Sequence, residues 1–302
     1  MRVVCLSGGV GGAKLARGLY DVLGPDLTVV GNVGDDLEVF GLYVSPDLDS
    51  VLYGLTGLND EERGWGRAGE TWRALESAKA LGADAWFQLG DLDLGLHLTR
   101  TDALRRGESL SAVTRGLAAA AGLTGTLLPA TDDPLRTHVV TAAGTFAFQD
   151  WFVARRHRDE VDELRYEGAD RAAPAPGVLE AIAAAEAIVF APSNPYVSLL
   201  PILAIPSIRD AIAARRVRCV AVSPLIGGRS VKGPLDRMLT RMAGGTTPAH
   251  VAACYEGLLD ALVIDHADAP AEAPLPVVVS ATLMEDREGS RRLGETVLEV
   301  VA

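Results

Sequence analysis

The chain opens with a short apolar run, Arg2-Val3-Val4-Cys5-Leu6, which breaks at once into Ser7-Gly8-Gly9-Val10-Gly11-Gly12-Ala13-Lys14. A helical pattern over 13–23 and a second apolar run over 27–30 follow. Strand, glycine turn, helix, strand is how a doubly wound parallel sheet begins. Further runs near 187–191, 217–223, 261–265 and 275–279 are rich in Val, Ile, Leu and Ala. Such runs suit parallel strands buried on both faces. Helical patterns at 208–216 and 248–260 separate them, and 288–301 reads as a closing helix. The expected fold is α/β: a Rossmann-like, doubly wound, mostly parallel sheet.

The middle of the chain breaks this rhythm. All four tryptophans, Trp65, Trp72, Trp86 and Trp151, fall there. Helical spacing marks 70–81 and 110–121, and the segments 137–142 and 145–152 pair as a hairpin across Ala143-Gly144. We therefore expect a core of residues 1–58 and 176–302, with 59–175 inserted as an α+β subdomain over one end of the sheet.

A formal charge of −12 argues against nonspecific nucleic-acid binding, which needs a basic face. It leaves room for an anionic small ligand, since glycine-loop amides, a lysine and a metal supply positive potential locally. The three cysteines are far apart and form no C-x-x-C, and Cys5 and Cys219 sit in strand-like runs, as in a reducing cytoplasm. Glycine punctuates the N-terminus too early for a signal peptide. The longest apolar stretch, 178–192, contains Glu180 and Glu186 and is too short for a bilayer. A cytoplasmic protein with no membrane partner is expected.

Four motifs carry the chemistry. The glycine loop lacks the third glycine of a dinucleotide fingerprint, having Lys14 there, and no Ser or Thr follows Lys14 as a Walker A loop requires. A glycine turn opening a helix still offers free N–H groups and a positive dipole end to a phosphate, so Gly9, Gly11, Gly12 and Lys14 are candidate phosphate contacts. The alternative is a tight turn that needs glycine for its backbone angles.

The second motif is a pair of acidic turns, Gly34-Asp35-Asp36 and Ser45-Pro46-Asp47-Leu48-Asp49-Ser50. Carboxylates at a strand's carboxyl end suit Mg²⁺ shared with a substrate phosphate. The competing readings are a ribose-binding acid at Asp35 or Asp36, and helix capping by Asp47 and Asp49. Third, Asp91, Asp93, His97 and Arg100 crowd into ten residues, with Asp93 and His97 at i, i+4. An ion-paired surface helix would look the same. Fourth, Ser193-Asn194 between two prolines and Ser223-Pro224 follow successive strands, as the far wall of a nucleotide site would. His138, His157, His250 and His266 are scattered without metal-ligand spacing.

In this order the motifs resemble the 2-phospho-L-lactate transferase family of coenzyme F420 biosynthesis. The matching stretches include Ser7 through Lys14, Asn32-Val33-Gly34-Asp35-Asp36, Ser45 through Ser50, Gly64-Trp65-Gly66 and Leu89-Gly90-Asp91-Leu92-Asp93 with His97 and Arg100. Leu128-Pro129-Ala130-Thr131-Asp132-Asp133, Phe148-Gln149-Asp150-Trp151, Ala191-Pro192-Ser193-Asn194-Pro195 and Ser223 through Gly228 complete the set. The resemblance implies a Mg²⁺-dependent, Rossmann-like enzyme. Its reaction would carry a phospho-lactyl or phospho-enolpyruvyl group from a guanosine diphosphate ester to the ribityl hydroxyl of 7,8-didemethyl-8-hydroxy-5-deazariboflavin, releasing GMP.

Displacement at phosphorus needs positioning and charge neutralisation more than covalent catalysis. On that reading Mg²⁺ sits on Asp35 and Asp49, and Asp49 or Asp47 orients or deprotonates the acceptor. Ser193, Asn194 and Ser223 contact guanosine, while Trp65, Asp91, His97 and Arg100 serve the deazaflavin. A nucleotide-binding regulatory protein of the gluconeogenesis-factor-like branch is the first rival. That branch continues its Asp-Asp motif with Gly-Gly-Ser-Ser-Gly-Arg, whereas Leu37-Glu38-Val39 follows here. An NAD-dependent oxidoreductase is the second, and Lys14 in place of the third glycine counts against it. A homodimer is the default expectation. Lactyl and enolpyruvyl donors differ by two hydrogens on an apolar patch, and the sequence leaves that choice open.

Overall fold

The computed structural model describes residues 1–302. Strand β1 (Val3–Ser7) leads through helix α1 (Gly9–Leu23) to β2 (Leu27–Gly31). A hairpin of β3 (Leu37–Val39) and β4 (Leu42–Val44) then enters α2 (Pro46–Thr56). Helices α3 (Arg73–Ala80), α4 (Asp91–Arg105) and α5 (Leu110–Ala120) precede β5 (Thr126–Pro129). Next comes an antiparallel sheet of β6 (Arg136–Thr141), β7 (Gly144–Ala147) and β8 (Glu163–Glu167). The chain then supplies β9 (Ala187–Phe190), β10 (Arg218–Val222), the short pair β11 (Leu225–Ile226) and β12 (Arg229–Ser230), then β13 (Ala261–Asp265) and β14 (Val277–Ser280). A C-terminal helix, Arg287–Val301, closes it.

Seven strands form one sheet in the order β14-β13-β10-β9-β1-β2-β5, and every adjacent pair is parallel. The order runs outward in opposite directions from β1 and β9. Between their carboxyl ends lies the switch-point crevice where open α/β sheets bind ligands. Val3 to Leu6 and the whole of β9 are almost solvent-free. Helices cover both faces, which explains why these strands read as unbroken apolar runs.

Helix α1 is held down by the C-terminal helix. A Cβ on Gly18 would stand 1.9 Å from the Ser290 carbonyl oxygen, and one on Gly294 would meet the Gly18 carbonyl carbon at 2.9 Å. The two backbones touch where side chains are missing. This contact fixes the direction in which α1 points its N-terminus.

The segment 59–175, expected to stand apart, returns once to the core. Strand β5 lies inside it and forms the edge of the main sheet beside β2, with register Thr28 to Thr126. The hydrophobic core is also continuous across the boundary, taking in Leu135, Val139, Phe148 and Trp151 with the sheet residues. The hairpin reading at 137–152 finds β6 and β7, but the second arm ends at Ala147 and turns into a wide helical turn, Asp150–Ala154. β8 adds a third strand whose only apolar residues are Leu164 and Tyr166, too few to show a strand pattern against its charged neighbours.

Candidate active site

A cleft of about 710 Å³ opens at the switch point between the core and the inserted segment. Its core wall is the glycine loop after β1, the loop after β9, Ser223-Pro224 after β10, and 282–285 after β14. The opposite wall comes from Trp65, Phe87, Asp93, His97, Phe148 and Phe152. Asp35, Asp47 and Asp49 line it between the two.

The glycine loop is clasped from behind. Ser193 Oγ donates to the Gly8 carbonyl at 2.7 Å and accepts from the Gly8 N–H at 3.1 Å. A Cβ on Gly12 would fall 2.3 Å from that hydroxyl and 2.5 Å from Ser7 Oγ, so the helix starts flush against the loop only with glycine there. Gly12 supports the loop from outside the cleft, while Gly9 and Gly11 line it. The Gly9 N–H, expected to serve a phosphate, is already given to Asp47 Oδ1 at 2.6 Å. Helical first-turn amides have no partner within the helix, which leaves the Val10 and Gly11 end of α1 for an anion. Lys14 reaches the cleft with its Nζ on the Met284 carbonyl, 2.5 Å away. Burial and the nearby Lys232 charge lower its pKa.

The acidic turns hold three differently employed carboxylates. Asp36 is buried beneath the cleft, taking hydrogen bonds from Tyr43 Oη (2.7 Å) and Ser45 Oγ (2.6 Å). Burial pushes its carboxyl up to about 7; it ties the β3–β4 hairpin to the turn before α2. Asp35 and Asp47 face each other across Asn32, whose Nδ2 lies 3.4 Å from Asp35 Oδ1 and 2.9 Å from Asp47 Oδ2. Gln149 donates to Asp35 Oδ2 at 3.0 Å. Burial, then the Asp47 and Asp36 charges, raise the Asp35 carboxyl well above the usual range, and burial takes Asp47 up to about 6. Two buried carboxylates this close disfavour their joint ionisation unless a cation joins them.

Asp49, expected to share the metal with Asp35, is instead gripped by Arg100. Nη1 donates to Oδ2 at 3.0 Å and Nη2 to Oδ1. Arg100 is only 2% exposed and does not line the cleft. It is therefore not placed to contact an acceptor directly. His97 does line the cleft, with Nδ1 3.8 Å from Asp49 Oδ2. Burial lowers its pKa to about 4, so the ring is a neutral donor or acceptor.

Asp91, also expected at the acceptor, points elsewhere. Its carboxylate caps α3, accepting from the N–H groups of Arg73 (3.2 Å) and Ala74 (3.1 Å) and from Thr71 Oγ1. Its neighbour Asp93 takes the place in the cleft. The Asp93 and Leu92 amides are capped by Glu70, each at 2.8 Å. Tyr53 Oη donates to Asp93 Oδ1 at 2.6 Å.

Asn194 and Ser223 line the core wall as expected. Each also shapes its own loop, Asn194 Oδ1 accepting from Tyr196 N and Ser223 Oγ from Leu225 N. Trp65 lines the opposite wall, 42% exposed. The Arg63 guanidinium lies 5.0 Å from its ring and 5.2 Å from that of Trp72, a cation–π clamp. Sequence reasoning missed a second aromatic contribution to that wall, Phe148 and Phe152, stacked at 5.2 Å, with Phe148 mostly buried. The motif Phe148-Gln149-Asp150-Trp151 is plain in the chain. Only the wide turn that follows β7 puts both phenylalanines on the cleft side.

A cleft at the switch point of a parallel sheet, lined by a glycine loop and a buried carboxylate pair, belongs to an α/β, Rossmann-like protein at the place where such enzymes bind small ligands. Comparison with known proteins makes it a transferase. Residues 3–298 match the 2-phospho-L-lactate transferase CofD family, and the chain belongs to that family, whose members act in coenzyme F420 biosynthesis. It is 43% identical to the phosphoenolpyruvate transferase of Kitasatospora aureofaciens, over 99% of this chain and 97% of that protein. It is 46% identical to the Streptomyces griseus phosphoenolpyruvate transferase, over 90% and 87%. Its fold is similar to that of a UPF0052-family crystal structure from Bacillus halodurans, with a TM-score of 0.65 at 19% identity and 98% of both chains covered. No single helix is long and apolar enough to cross a membrane.

Proposed function

We propose that this protein transfers a phospho-enolpyruvyl group from a guanosine diphosphate ester to the terminal ribityl hydroxyl of 7,8-didemethyl-8-hydroxy-5-deazariboflavin, releasing GMP. The observation that carries the reading is the division of one cleft. Its core half offers the amides of α1 and the Asp35/Asp47 pair. Its other half offers the stacked Phe148 and Phe152 rings and Trp65. The first suits a diphosphate and the second a flat heteroaromatic ring. The enolpyruvyl donor is favoured over the lactyl one by the names of the curated relatives.

Asp35 and Asp47 fit Mg²⁺. They are hard oxygen donors, buried side by side with raised proton affinity, a charge imbalance that a divalent cation relieves. Bound there, Mg²⁺ would supply charge neutralisation at the diphosphate. The chain's own groups do the rest. The Val10–Gly11 end of α1 and Lys14 orient the phosphates, and Arg100 keeps Asp49 from swinging. The core-wall loops of Asn194 and Ser223 receive the guanosine. The hydroxyl oxygen bonds to the phosphorus that carries enolpyruvate. The bond from that phosphorus to the bridging oxygen breaks, and GMP leaves with the electron pair. We place the reaction in the cytoplasm, a reading supported by three unpaired cysteines.

Purified protein, the deazaflavin, Mg²⁺ and each donor in turn should be analysed by mass spectrometry. The expected products are GMP and a phospho-enolpyruvyl deazaflavin, formed faster than the lactyl adduct. Failure with both donors would overturn the reading.

A further inference from the structure

Four aspartates line the cleft, and their oxygens are not equally free. Both oxygens of Asp35 are hydrogen-bonded, to Asn32 and Gln149. Those of Asp47 are taken by Gly9 and Asn32, and those of Asp49 by Arg100. Asp93 differs: Oδ1 accepts from Tyr53 and Oδ2 accepts from nothing. Asp93 is 8% exposed and lines the cleft, with Oδ2 close to Gly66. It is also firmly placed, because Glu70 caps its backbone and the Tyr53 hydroxyl fixes its plane.

We propose that Asp93 is the catalytic base of the transfer, its Oδ2 taking the proton of the acceptor hydroxyl as that oxygen attacks phosphorus. This rests on the transfer reaction proposed above and names a residue other than Asp47 or Asp49 for the step. The balance is simple. The O–H bond breaks toward Asp93, the O–P bond forms, and the leaving GMP takes the electrons of the broken P–O bond. The Asp93 carboxylic acid then loses its proton to water once product leaves. Asp93 is also suited to exchange protons near neutrality. Burial, opposed by the Tyr53 hydrogen bond and helped by the Glu70 and Asp49 charges, raises its carboxyl to about 6, with Arg67 pulling the other way. His97 and Arg100 are the remaining charged or titratable side chains of the site on its own helix, His97 neutral and Arg100 paired.

The test uses the full-length enzyme with the donor, the deazaflavin and Mg²⁺. Asp93→Asn keeps an acceptor for Tyr53 but cannot take a proton, so kcat should fall about 100-fold or more. GMP binding by calorimetry and the deazaflavin KM should stay within about threefold of wild type. Wild-type kcat should fall as pH drops through about 6, because the base must be unprotonated. Tyr53→Phe removes a hydrogen bond that favours the carboxylate, so that acid limb should move to higher pH. This second variant decides the matter even if Asp93→Asn does not fold. Asp93→Asn with near-wild-type kcat, or an acid limb unmoved in Tyr53→Phe, would overturn the assignment while leaving the transfer intact. A wild-type enzyme that releases no GMP would overturn the parent reaction and this step together.

Discussion

Arg100 shows how much of this cleft depends on a residue that does not face it. Its guanidinium and the Asp49 carboxylate are both nearly solvent-free, a costly pair that is stable only while each partner is present. Arg100→Leu strands the Asp49 charge in the interior and should lower unfolding free energy by about 3–5 kcal/mol in urea titrations. The double variant Arg100→Leu with Asp49→Leu removes both charges and should recover most of that loss. Recovery of stability without recovery of transfer would show that the pair is kept for the site. A single variant as stable as wild type would mean that Asp49 finds solvent or another partner. Spacing alone sets Asp91, Asp93, His97 and Arg100 on one candidate helix, and that helix exists. Their separate duties are not legible in the sequence, because the Asp49 partner lies 51 positions away and the Asp91 partners belong to the preceding helix.

Among elements, α1 and the C-terminal helix illustrate packing that governs a site from a distance. Gly18 has no room for a side chain against Ser290, so Gly18→Val should cost about 1–3 kcal/mol by overpacking. By tilting α1 it should also weaken GMP binding. Gly116 is the matching control. It lies within α5, and a methyl group added there would have no neighbour within 4 Å. Gly116→Ala should therefore raise stability by about 0.5–1 kcal/mol and leave binding alone. Equal effects from both variants, read from urea midpoints and calorimetry, would refute the role given to this packing. Strands β1, β2, β9, β10 and β13 are legible because burial on both faces writes an apolar run into the sequence, and the half-exposed edge strand β14 because three consecutive valines mark it. β5 is not, because Thr126-Leu127-Leu128-Pro129 sets only two apolar residues between a threonine and a proline, too short a run to stand out.

At the scale of the molecule, the sheet brings the glycine loop and the loops after β9 and β10 to one rim, and the inserted segment closes the opposite side. The first half of that arrangement follows from motifs placed at strand ends, each read locally. The second half does not, since 145–152 reads as one strand arm, whereas β7 ends at Ala147 and Phe148 and Phe152 sit in the helical turn that follows. The decisive measurement is a crystal structure with GDP, Mg²⁺ and the deazaflavin bound. The diphosphate should lie at the Val10–Gly11 end of α1 beside Asp35 and Asp47, with guanosine along Asn194 and Ser223. The deazaflavin ring should rest against Trp65, Phe148 and Phe152, its ribityl end toward Asp93. Guanosine seated on the aromatic wall, or a deazaflavin outside the cleft, would contradict this division of the site.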